Sequence, residues 1–142
     1  MRSVSRIVVL ALAMVLWVTG LQVDGVLAQG DAARVIVGVW EGTSMIGQYS
    51  ATTRLVFSQD GEKLAWKWSY SASEAKGEAE GTVTKIVLPS LELSGSYTFH
   101  SDPRVGGSRV TMSLTVQGEQ MEGSGLSVKV NTPFSLRVRK KK

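Results

Sequence analysis

The segment Lys63-Leu64-Ala65-Trp66-Lys67-Trp68-Ser69-Tyr70 restricts this chain more than any other stretch of it. Leu64, Trp66, Trp68 and Tyr70 occupy every second position, with Lys63, Lys67 and Ser69 among the residues between them. Successive side chains of a strand point to opposite sides, so this alternation describes a strand with one face buried and one in water. The pattern recurs at Leu91, Leu93, Gly95, Tyr97 and Phe99 against Glu92, Ser94, Ser96, Thr98 and His100, and again at Val110, Met112, Leu114 and Val116 against Arg109, Thr111, Ser113 and Thr115. Weaker alternation marks residues 37–44, 49–58, 81–88, 121–130 and 134–139, for about eight strands in all. Helical periodicity is missing outside the first 28 residues.

Asp60-Gly61, Pro89-Ser90, Gln117-Gly118 and Asn131-Thr132-Pro133 separate the strands. Glycine readily takes positive φ and proline fixes φ, so these are turns between sequence neighbours, and the topology they predict is a meander. Eight strands with one apolar face each can bury it as a two-sheet sandwich or as a barrel. Closure also removes the exposed edges. The expected fold class is therefore all-β, an eight-stranded antiparallel up-and-down β-barrel, with Gly95, Gly123 and Gly125 marking bends inside strands.

The N-terminus has the layout of a secretory signal: Arg2 and Arg6 with no acid beside them, then an uncharged run from Ile7 to Val18. That run is shorter than the roughly 20 apolar residues a membrane-spanning helix needs. Val26-Leu27-Ala28 offers a peptidase site, so the expected organisation is a signal peptide over 1–28, cleaved after Ala28, and a barrel domain over 29–142 with a basic tail. The expected location is periplasmic or secreted, with no transmembrane span after cleavage.

The sequence contains no cysteine and one histidine. The missing thiol excludes disulfide staples, thiol catalysis and a Cys-ligated metal, and the single imidazole argues against a transition-metal site. No metal or other cofactor is expected. The net charge is +4, but Arg137, Arg139, Lys140, Lys141 and Lys142 crowd the end of the chain. A nucleic-acid surface would spread basic residues over a face with aromatics between them, so no nucleic-acid partner is expected. Weak contact of the basic tail with an anionic surface is compatible with this charge.

Gly38-Val39-Trp40-Glu41-Gly42 carries a G-x-W signature in the first strand. It resembles the calycin group of lipocalin-like and avidin-like barrels. The resemblance implies that Trp40 plugs one barrel end and that a basic residue of the last strand, Arg137 or Arg139, packs across it. The chain departs from true lipocalins in being shorter, in lacking a cysteine pair and in having no helical segment after the barrel.

In a meander, connections alternate between the two ends. Asp60-Gly61, Pro89-Ser90 and Gln117-Gly118 then share an end with Trp40, and all three are tight. The connections 71–80 and 100–107 share the other end, and their greater length suggests an open mouth. Inward residues toward that mouth are Trp68, Tyr70, Tyr97, Phe99, Val110, Met112 and Phe134, and the candidate ligand-binding set is Trp68, Tyr70, Tyr97, Phe99, Met112 and Phe134. The competing reading is that these side chains simply fill the barrel. His100-Ser101-Asp102 holds the residue types of a catalytic triad, yet adjacent residues cannot assemble a nucleophile, base and orienter, so it reads as a polar loop. Glu74, Glu78 and Glu80, beside Lys76, read as a solvated loop of mixed charge. No catalytic residue is assigned and an enzyme is not expected. The functional expectation is an extracytoplasmic barrel binding a small apolar or amphipathic ligand in its open end; the alternative is a filled barrel acting as an inhibitor or envelope partner through its open-end loops.

Overall fold

A computed structural model describes residues 31–142; the expected signal peptide lies outside the described residues. Eight strands follow one another, β1 Gly38–Ile46, β2 Tyr49–Asp60, β3 Lys63–Ser71, β4 Lys76–Val87, β5 Ser90–His100, β6 Arg109–Gln117, β7 Gln120–Ser127 and β8 Thr132–Lys140. Each pairs antiparallel with its neighbour in sequence, and β8 returns to β1 with Gly42 opposite Val138, closing an up-and-down barrel.

Closure depends on matching large inward residues with small ones. On β3, Trp66, Trp68 and Tyr70 point into the barrel, and the residues directly across from them on β4 are Gly81, Ala79 and Gly77. Three aromatics thus fill the space that β4 leaves empty, which an eight-stranded interior of fixed width requires. Gly81 also faces Gly95 of β5, and there the two backbones come so close that a Cβ on Gly95 would lie 2.1 Å from the Glu80 carbonyl oxygen. Below the aromatics Leu55, Phe57, Leu91, Leu114, Met121 and Val138 complete the core.

The end holding the β2–β3, β4–β5 and β6–β7 turns is shut. A short helical segment over residues 31–36 buries Ala32, Ala33 and Ile36 there, and the Trp40 indole N–H donates to the Ile36 carbonyl at 2.8 Å. Periodicity did not reveal this segment, because six residues give less than two helical turns of pattern. The cation over Trp40 is Lys140, its Nζ 5.7 Å from the ring centroid and 2.8 Å from the Val35 carbonyl it donates to. Arg137 and Arg139 do not fill that role. On β8 Phe134, Leu136 and Val138 face inward, so both arginines face out, Arg137 toward Glu122.

Two further expectations change. β4 starts at Lys76, so the connection expected over 71–80 is only residues 72–75, and Glu78 and Glu80 stand on the outer face of a strand. The outward faces of β3 and β6 carry Lys63, Lys67, Arg109, Thr111 and Ser113, unlike the apolar band with which a membrane barrel meets lipid. Among the described residues no helix is long and apolar enough to cross a membrane.

Candidate functional site

The opposite end gathers the turn between β1 and β2 and the connections β3–β4, β5–β6 and β7–β8, and between them lies a cleft of about 510 Å³. Its walls are Ile46, Ala75, Val105 and Val130, its floor Tyr70, Tyr97 and Ser127, and its rim Tyr49, Glu74, His100, Asp102 and Arg104. The floor is deep: Tyr70 and Tyr97 are each 4% exposed and Ser127 2%.

The rim owes its chemistry to a bulge. Glu78 pairs with Phe99 but Ala79 pairs with Tyr97, which leaves Thr98 as an extra residue on β5. An added residue reverses the side to which all later ones point. Tyr97 therefore stays inside, Phe99 turns out to solvent at 51% exposure, and His100 turns in. The expectation that Phe99 lines the interior is overturned on this ground, and His100 belongs to the strand and to the cleft.

Of the other candidate residues, Tyr70 and Tyr97 line the cleft. Trp68, Met112 and Phe134 lie beneath it, where Trp68 stacks on Phe134 at 4.6 Å between centroids and meets Tyr70 at a 41° tilt with centroids 4.8 Å apart. The Trp68 indole N–H is held by the Thr53 hydroxyl. This aromatic layer fills the middle of the barrel, so the cleft stops at the phenols.

The polar groups of the floor form a chain. The Asp102 backbone N–H donates to His100 Nδ1 at 2.8 Å, which places the proton of a neutral ring on Nε2. Nε2 then donates to the Tyr70 hydroxyl at 2.5 Å. Tyr70 and Tyr97 hydroxyls are 3.5 Å apart, and Tyr97 and Ser127 hydroxyls 3.0 Å. Burial lowers the pKa of His100 below its ordinary value, with the Asp102 carboxylate pulling the other way. Burial likewise raises Tyr70, with the Tyr97 contact adding to it, so the phenol keeps its proton. The Arg104 guanidinium, bonded to both carboxylate oxygens of Asp102, holds that carboxyl at about 2.

The triad types are not brought together, since the Ser101 hydroxyl accepts from the Lys76 N–H on the edge of β4 and Asp102 presents its backbone, not its carboxylate, to His100. Among the described residues no group of His, Asp and Glu has the spacing to hold a metal ion. Sequence reasoning missed His100 and Ser127 as site residues. His100 was hidden by the bulge, and Ser127 lies at the end of a strand where parity is weakly marked.

What fold and site define is a small closed up-and-down barrel with one plugged end and one cleft-bearing end. No protein-family model, curated protein or solved structure matches the chain.

Proposed function

We propose that this protein is a non-enzymatic, calycin-like barrel that works outside the cytoplasm and takes a small apolar or amphipathic molecule into its open-end cleft. The observation that carries the reading is the asymmetry of the ends: one is plugged by Trp40 and the helical segment, while the other has aliphatic walls over a buried polar floor. Such a combination of apolar lining and a few convergent polar groups is what small-molecule sites share. The signal-like N-terminus supports export.

An environment-sensitive lipophilic dye tests the reading directly. One dye per chain should bind, and Val130→Trp, which puts an indole into the wall, should weaken binding at least tenfold. Absence of binding, or binding indifferent to Val130→Trp, contradicts the proposal.

A second reading, a binding module for a protein partner, has Phe99 on its side, an aromatic turned to solvent next to the open-end loops. Phe99→Ser should then abolish partner capture while leaving dye binding intact, whereas Val130→Trp should do the reverse.

A further inference from the structure

Resting on the cleft reading, the geometry points to an uncharged, oxygen-headed amphiphile as the ligand, an alcohol or ketone in preference to a carboxylate. The argument begins with hydrogens. His100 Nε2–H and the hydroxyls of Tyr70, Tyr97 and Ser127 all can donate, and the close contacts among them, His100 to Tyr70 and Tyr97 to Ser127, use one hydrogen each. The Tyr70 hydroxyl hydrogen and one from the Tyr97–Ser127 pair are left with only the 3.5 Å contact between the phenols, which is at the edge of hydrogen-bond range. An oxygen arriving between the phenols would accept from that floor, and a buried donor gains most from a partner that reaches it.

Charge then selects the kind of oxygen. The floor is neutral, because burial keeps the Tyr70 proton on and the His100 ring has its Nδ1 lone pair turned to a backbone N–H. Of the charged residues lining the cleft, Asp102 and Arg104 neutralise each other, and among the described residues no ion pair neutralises Glu74. A carboxylate head would meet a buried floor without a cation and a rim with a negative excess, and burying an unpaired ion is far more costly than burying a hydroxyl or carbonyl that finds a donor.

The test compares a medium-chain primary alcohol with the carboxylic acid of the same chain length, displacing the lipophilic dye at neutral pH, where the acid is ionised. The alcohol should bind at least tenfold tighter. Tyr97→Phe and Ser127→Ala, each checked for an unchanged circular dichroism spectrum, should lower alcohol affinity without improving the acid. Glu74→Gln, at the exposed rim, should improve the acid and narrow the gap. An acid that binds as tightly as the alcohol overturns this inference and leaves the cleft reading standing; binding of the dye but of neither probe also overturns it. Failure of the dye itself overturns both.

Discussion

Replacing Gly95 by alanine tests whether close strand contact is what closes this barrel. The added Cβ would lie 2.1 Å from the Glu80 carbonyl oxygen and 2.7 Å from the Trp66 ring, and the first of these is backbone that has no rotamer to change. A carbon and an oxygen in contact need more than 3 Å, so β4 and β5 must part by about 1 Å. Losing roughly two ladder hydrogen bonds at about 1 kcal/mol each, with about 1–3 kcal/mol for pressing on Trp66, gives a destabilisation of about 3–5 kcal/mol. That is a large share of the 5–15 kcal/mol typical of a domain. Urea unfolding followed by tryptophan emission measures it. Gly118→Ala is the reference: nothing lies within 4 Å of that position, and only its φ of +61° resists a side chain, at about 1 kcal/mol. Equal losses for the two variants would refute the reasoning.

Three other outcomes follow from the same geometry. The Ser44 hydroxyl is buried without a hydrogen-bond partner, so Ser44→Ala should stabilise the protein by about 1 kcal/mol in the same urea assay. His100 is the only histidine, so its imidazole signal can be followed by NMR without ambiguity, and it should titrate below the ordinary value of 6.5. Because the folded-state value is the lower one, its contribution is full above pH 6.5 and is lost as pH falls toward the folded value; His100→Gln should flatten that part of the stability profile. At the shut end, Lys140→Met should lose the Val35 hydrogen bond and the cation over Trp40, lowering stability by about 1 kcal/mol in urea unfolding, while Arg137→Met should change it by less than half of that.

The barrel was legible because parity is a long-range signal that repeats. Leu64, Trp66, Trp68 and Tyr70 fix one strand, and Val110, Met112, Leu114 and Val116 another, each without help from tertiary structure. The assignment of tight turns to one end and the cleft to the other followed from counting strands. The site was read less well, since a single extra residue defeats parity: Thr98 is as good a strand residue as its neighbours, and nothing local announces that it goes unpaired. The start of β4 was obscured by Lys76, Glu78 and Glu80, which look like loop. Gly77, Ala79 and Gly81 held the missing signal, three small residues at every second position, placed to meet the three β3 aromatics. Lys140 was legible in principle, because inward parity from Phe134 leads to it and away from both arginines.

The claim on which the functional account stands is that ligand enters between the open-end loops and stops at the phenols. Residue-resolved NMR during titration with the medium-chain alcohol examines it most directly. Shifts should concentrate at Tyr70, Tyr97, His100, Ser127 and Val130, with the Trp40 indole N–H at the far end unmoved. Shifts centred on Trp40 or on the outward face of β6, with the His100 signal unchanged at saturation, would contradict it.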